Sequence, residues 1–169
     1  LVPAHVRSIE VGARWRWIGA DGSIASYRID GEDEIVPAES RGGRASFANA
    51  GRTRREGIEA SLAGSLGEQW SYTLAANVID ARFTQPFSYR VVTAGQTSIR
   101  SVDAGNRIPG IPRADAFAEL AWRDGSGRIS AALEARFSDR IATDDRNSDF
   151  APGHARFAAR VQWRGVGGL

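Results

Sequence analysis

His5 and His154 are the only histidines in the 169 residues, and cysteine is absent. This excludes a zinc site of the HExxH kind, a thiolate metal site, a disulfide framework and a thiol nucleophile. The remaining candidates for chemistry are carboxylates, hydroxyls and arginines. Asp144, Asp145 and His154 could supply the Asp–His pair of a hydrolase, but a solvated acidic loop explains them more simply. Ser148, with Asp149 and His154 nearby, lacks the glycines of a nucleophile elbow. Asp145-Arg146-Asn147-Ser148-Asp149 opens like an EF-hand loop, yet Phe150 stands where that loop needs glycine and no closing Glu follows. Gly165-Val166-Gly167-Gly168 opens no helix, so it is not a phosphate loop. These patterns predict no catalytic residue, no metal site and no cofactor.

The charge balance is equally bare. Lys+Arg is 22 against Asp+Glu 20, a formal net of +2, while the sequence pI is 9.6. All the basic residues are arginine, so little titrates between mildly acidic and strongly alkaline pH and a small excess persists. The high pI is therefore no sign of a nucleic-acid surface, and no nucleic-acid partner is expected. A mean hydropathy of −0.32 and the lack of an unbroken apolar run of about 20 residues exclude a helical membrane span. They do not exclude a membrane β-barrel, whose strands alternate.

Period-2 alternation runs through the chain. Ile9, Val11, Ala13, Trp15 and Trp17 share one face, and Glu10, Arg14 and Arg16 share the other. The pattern predicts strands at about 7–18, 23–30, 54–64, 69–82, 114–123, 128–138 and 154–164. Asp21-Gly22 is expected to turn between the first two, leaving Ala25, Tyr27 and Ile29 on the apolar face. Long polar loops are expected at about 31–52, 84–113 and 139–153. Ile129, Leu133 and Phe137 also fit a helical spacing, but segment length and flanking glycine turns favour strand.

Short and long connections alternate, as in a transmembrane barrel with tight turns on one side and long loops outside. Trp15, Trp17, Trp70, Trp122 and Trp163 fall at the short-turn ends or the C-terminal end, the arrangement of an aromatic girdle at a lipid interface. Tyr27, Phe137 and Phe157 would form a second girdle at the long-loop ends. A soluble β-sandwich explains the alternation, but not the one-sided tryptophans or the charges opposite the apolar row. The expectation is an all-β, antiparallel up-and-down meander of about seven strands.

Four segments carry a family resemblance. Asn49-Ala50-Gly51-Arg52-Thr53-Arg54-Arg55-Glu56-Gly57-Ile58-Glu59, Gly105-Asn106-Arg107-Ile108-Pro109-Gly110-Ile111-Pro112-Arg113, Ser8-Ile9-Glu10-Val11-Gly12, and Asp144-Asp145-Arg146-Asn147 with Ala151-Pro152-Gly153 resemble segments late in the barrel of TonB-dependent outer-membrane receptors of the siderophore branch. The resemblance implies a barrel of about 22 strands, plugged by a separate N-terminal domain and driven by TonB. It implies a parent function of taking up a ferric siderophore or similar chelate across the outer membrane of a Gram-negative bacterium.

This chain would be a C-terminal part of that barrel, lacking the plug through which the TonB complex acts. Leu1 in place of Met and a last run without strand pattern read as cut ends. Ligand contacts in such receptors lie in the outer loops and upper lumen, which suggests Tyr89, Arg90, Arg100, Arg107 and Arg140. Arginine suits carboxylate-bearing chelates through bidentate pairing. Seven strands would leave two open edges, so the isolated fragment is expected to self-associate. An adhesin or autotransporter-type module and an outer-membrane hydrolase remain the alternatives.

Overall fold

Alternating β-branched and aromatic residues suit a pleated surface with two unlike faces, and the chain uses them to build a wall. The computed structural model describes residues 2–41, 44–49, 51–93 and 96–165. In chain order the strands are β1 (His5–Trp17), β2 (Ala20–Glu32), β3 (Ile35–Arg41), β4 (Arg44–Asn49), β5 (Arg52–Leu66), β6 (Trp70–Phe83), β7 (Phe87–Thr93), β8 (Gln96–Val102), β9 (Ala114–Arg123), β10 (Ile129–Ser138), β11 (Ile141–Ala142), β12 (Phe150–Ala151) and β13 (His154–Trp163). Seven form one sheet in the order β1-β2-β5-β6-β9-β10-β13. Each neighbouring pair is antiparallel.

The three remaining pairs, β3–β4, β7–β8 and β11–β12, are two-stranded ribbons. They sit within the stretches expected to be plain loops. Short apolar rows such as Phe87, Tyr89 and Val91, close to Pro86 and dense in polar residues, hide this pairing from a periodicity search.

The first hairpin differs from expectation. Trp17 pairs with Ala20, so Ile18 and Gly19 alone make the turn, with Gly19 in the left-handed region at φ 78°. A two-residue loop needs positive φ, which glycine adopts without strain. Asp21 and Gly22 are then strand residues opposite Arg16 and Trp15. The shift reverses the expected faces of β2, because one residue of slip exchanges the two sides. Ile24, Ser26 and Arg28 join the apolar row, while Ala25, Tyr27 and Ile29 stand on the polar side.

With that correction the faces are uniform across all seven strands. One bears Ile9, Val11, Ile24, Ile58, Leu62, Leu74, Leu120, Leu133, Phe157 and Val161 in register. The other bears Glu10, Arg14, Glu59, Glu119, Glu134, Arg136, Arg156 and Arg160. The apolar side chains stand open: Val11 is 74% exposed, Leu133 62% and Phe157 81%. From Leu66 to Ile58 the row covers roughly 27 Å of strand at about 3.4 Å per residue.

A single layer has little interior. The buried cluster is Phe83 and Val102, against which Phe87, Tyr89 and Ile108 pack. The Phe83 and Phe87 rings lie 5.1 Å apart and fasten the β7–β8 ribbon to the end of β6.

Three aromatic–glycine pairs stiffen the wall. Trp15 lies over Gly22, Tyr27 over Gly57 and Tyr72 over Gly64, each pair directly opposite across the ladder. A Cβ at any of the three glycines would run into the ring lying over it. Gly57→Val in the intact parent protein should therefore cost about 1–3 kcal/mol by overpacking, read from denaturant unfolding in detergent. Gly125→Ala should change it by less than about 0.5 kcal/mol, since nothing comes nearer than 3.8 Å to a Cβ there.

Candidate functional site

At the long-connection end the regular ladder stops and side chains take over. The upper part of the apolar face ends in a belt of charge. Arg28 meets Asp30 at 2.8 Å and Glu56 at 3.4 Å, and Arg54 meets Asp30 at 2.7 Å. Arg52 meets Glu32 at 3.1 Å and Arg82 meets Asp80 at 2.7 Å. Glu56 is followed at once by the apolar residues from Ile58 downward, so apolar band and charged belt share one face of β5.

The first motif segment explains itself here. Arg55 donates to both carboxylate oxygens of Glu34, at 2.6 and 2.7 Å, and the buried Thr53 hydroxyl donates to the same carboxylate at 2.7 Å. The Arg55 guanidinium holds the Glu34 carboxyl below its ordinary range; burial opposes this and the Thr53 hydrogen bond assists it. Asn49 donates to the Asp33 carbonyl at 2.6 Å and exchanges hydrogen bonds with the Val2 backbone. Ala50, the second residue of that segment, lies outside the described residues.

The second and fourth segments lock onto one another. Asn106 Nδ2 donates to the Asp145 carbonyl at 3.1 Å. Arg107 N donates to Asn147 Oδ1 at 2.7 Å, and Asn147 Nδ2 donates back to the Arg107 carbonyl at 2.9 Å. Asn147 holds φ 56°, a conformation asparagine tolerates better than most residues. The Asp144 carboxylate accepts from the backbone of Arg146 at 2.8 Å and of Ser148 at 3.1 Å, and from the Ser148 hydroxyl at 2.5 Å. Burial alone would raise Asp144, but these donors outweigh it and hold it low. Its lone pairs shape a turn. His154 belongs to another element, opposite Ser138 at the start of β13.

The five arginine and tyrosine candidates divide. Tyr89 and Arg100 are direct partners across the β7–β8 ribbon. The Tyr89 hydroxyl is pushed up to about 12 by burial and by the neighbouring Asp145 carboxylate. Arg90 pairs with Ile99 and projects from the other side of the ribbon. Arg107 stands opposite Arg82 across an isolated antiparallel bridge, and the charges of Arg113 and Arg140 also act on it; the sequence reading did not single out Arg82 or Arg113. Arg140 lies over the Phe150 ring at 4.9 Å. The amides of Asn106 and Asn147 were also missed as positioning groups, although both sit inside recognised segments; Glu34 carried no local signal.

All five tryptophans lie on the apolar face near the short-turn end. Trp70 and Trp122 are directly opposite, and Trp163 faces Ile129. Phe137 and Phe157 share that face at 47% and 81% exposure. Tyr27 does not: it pairs with Glu10 and Gly57, and its hydroxyl donates to Asn77 Oδ1 at 3.2 Å. Open depressions of about 580 and 510 Å3 lie against the middle of the sheet. They do not enclose a ligand chamber, because seven strands are a wall and not a vessel.

A continuous meander with one open apolar face and one charged face is a section of a β-barrel wall. The sequence family described as TonB dependent receptor-like, beta-barrel, matches residues 1–166, and the chain belongs to that family. It is a family of receptors and transporters, not of enzymes. The probable TonB-dependent siderophore receptor PiuA of Acinetobacter baumannii is 20% identical over 163 residues, 95% of this chain and 21% of the relative. The crystal structure of PiuA superposes with TM-score 0.75 at 19% identity, over 94% of this chain and 22% of that one. The ferric yersiniabactin uptake receptor FyuA of Yersinia pestis gives 0.73 at 18% identity, over 95% and 22%. The FrpB iron transporter of Neisseria meningitidis gives 0.63 at 13%, over 96% and 25%. The chain thus spans about one fifth of the curated relative's length.

Two outcomes follow from the loop-base geometry. Asn147→Ala removes the acceptor of the Arg107 amide, so hydrogen exchange there and along 105–110 should speed up while the mid-strand amides of β10 keep their protection. Removing the Glu34 carboxylate by Glu34→Gln should cost about 1–3 kcal/mol at neutral pH. A lowered carboxyl contributes fully above its ordinary value of about 4.3 and loses that contribution as pH falls through the folded value. The gap in unfolding stability between wild type and Glu34→Gln should therefore narrow progressively as pH falls below about 4.3.

Proposed function

We propose that this chain is part of the barrel wall of a TonB-dependent transporter in the outer membrane of a Gram-negative bacterium, one that takes up a ferric siderophore or similar metal chelate. The carrying observation is the end-to-end family match on a sheet whose faces differ so sharply. The apolar row would face lipid and the charged row a watery lumen. The belt from Arg28 to Arg82 would meet the head groups of the outer leaflet. The five tryptophans would mark the opposite interface, where amphipathic rings are favoured. Support for the cargo comes from PiuA, FyuA and FrpB, whose names refer to siderophores, ferric yersiniabactin and iron. TonB would act through a plug supplied by another part of the receptor. Tyr89, Arg100, Arg107 and Arg140 would offer polar contacts to an anionic chelate above the lumen, and Arg90 would act only from the ribbon's far side.

Deletion of the parent gene should abolish growth on at least one ferric chelate as sole iron source; normal growth on a full panel of chelates would refute the transport reading. The face assignment has its own test in the intact receptor. Leu133→Arg puts a charge into the apolar row between Leu120 and Ala159, at a cost of about 2–4 kcal/mol if that row lies in mid-bilayer, and should reduce the folded receptor in outer-membrane fractions. Glu134→Arg faces Glu119 across the pair and should leave assembly intact. Equal losses would overturn the assignment.

A further inference from the structure

Arg107 Nη1 is enclosed and has no hydrogen-bond partner among the described residues. An enclosed cationic nitrogen that has given up water without gaining an acceptor is costly, and native structures seldom leave one so. Its surroundings add to the cost. Burial first, then the charges of Arg113, Arg140 and Arg82, weaken its hold on its proton, and Asp139 pulls the other way. Arg82 spends its guanidinium on Asp80 and on the Gly105 carbonyl. Among the described residues Arg107, Arg113 and Arg140 have no carboxylate at ion-pair distance.

The backbone cannot swing the side chain away. Arg107 is held at both its N–H and its carbonyl by Asn147, it bridges Arg82, and the next residue donates to the Ala81 carbonyl at 3.0 Å. Arg107 is thus held in place, where the charges of Arg113, Arg140 and Arg82 act on it and one negative group would supply the acceptor that Nη1 lacks.

We propose that Arg107, flanked by Arg113 and Arg140, is an oxyanion site that takes one phosphate or carboxylate group of a bound ligand at the rim of the wall. A guanidinium fork suits either group through paired charge-assisted hydrogen bonds. The site deepens the contact of Arg107 and Arg140 with an anionic ligand proposed above, but it rests on the geometry of the loop base, so it stands or falls separately from the transport reading.

The intact receptor, stripped of native lipid in detergent, is titrated with inorganic phosphate at fixed ionic strength, and binding is read from phosphorus NMR line broadening. Arg107→Gln should weaken binding about tenfold or more, Arg107→Lys should weaken it less, and Arg123→Gln at the other end of β9 should leave it unchanged. Should Arg107→Gln fail to assemble, Arg140→Gln on the exposed side tests the same site.

Two further arms separate the sources of the group. Phosphate-bearing lipid carried through native mass spectrometry by wild type but not by Arg107→Gln assigns a lipid head group. Competition by citrate without retained lipid assigns a soluble carboxylate ligand. No phosphate binding to wild type, or equal binding to wild type and the Arg107 and Arg140 variants, overturns the proposal. So does a carboxylate of the receptor's own remaining chain standing against Arg107 Nη1.

Discussion

A wall one sheet thick depends on its ladder of backbone hydrogen bonds. There is no second layer to bury a face against, so hydrophobic packing between layers, which holds most β domains together, contributes little here. What remains is pairing between neighbours, unbroken from β1 to β13. In a hydrocarbon environment that pairing is compulsory, because no water is present to satisfy a free N–H or carbonyl. Register therefore governs everything else. A slip of one residue in any strand would carry its apolar row to the charged face and its charged row to the apolar face.

The aromatic–glycine pairs act on that constraint. A ring laid across the bare backbone of the opposite residue, as Trp15 over Gly22 or Tyr27 over Gly57, fits in only one register. Such pairs pin the sheet where a small residue would otherwise leave it weakly specified. The ion pairs do less for stability. Arg28, Asp30, Arg54 and Glu56 are between about a third and a half exposed, and exposed pairs in water contribute little. Glu34 with Arg55 is different: both are largely covered, with side chains 17% and 22% exposed, and joined by two parallel hydrogen bonds, with the Thr53 hydroxyl donating to the same carboxylate.

The wall was legible in the sequence because its requirement is a pattern. Alternation over ten or more residues, broken by glycine turns, defines seven strands and two faces. Where legibility failed, the cause was local. Asp21-Gly22 looks like a turn by composition, yet Gly22 is glycine because Trp15 lies over it, and the true turn uses Ile18 and Gly19. That one misplacement carried Tyr27 to the wrong face. The ribbons were missed because strands of two to seven residues, set among polar residues, leave too short a periodic signal. Glu34 and Arg82 were missed for another reason: their partners, Arg55 and Gly105, are 21 and 23 residues away, and no spacing rule reaches that far.

Sequence-specific motifs gather at one end of the molecule for a physical reason. Mid-strand, any apolar residue of suitable shape can serve, since the backbone satisfies itself and the side chain meets a fluid environment or open space. At the base of the long connections the ladder runs out, and irregular backbone must find partners among side chains. Asn106 and Asn147 fill that need, each offering an amide that both donates and accepts. Asp144 fills it for the following turn, and Asn49 for the end of β4. These positions tolerate few substitutes, because each demands a particular hydrogen-bonding group at a particular place. The same fixing of backbone that makes the motif recognisable also immobilises Arg107. A guanidinium carried on a fixed backbone beside other cations is partly pre-organised for an anion, because part of the cost of gathering the charges is met by the fold before the ligand arrives. Structural necessity therefore governs these residues: the amides build the corner, and the corner presents the arginine.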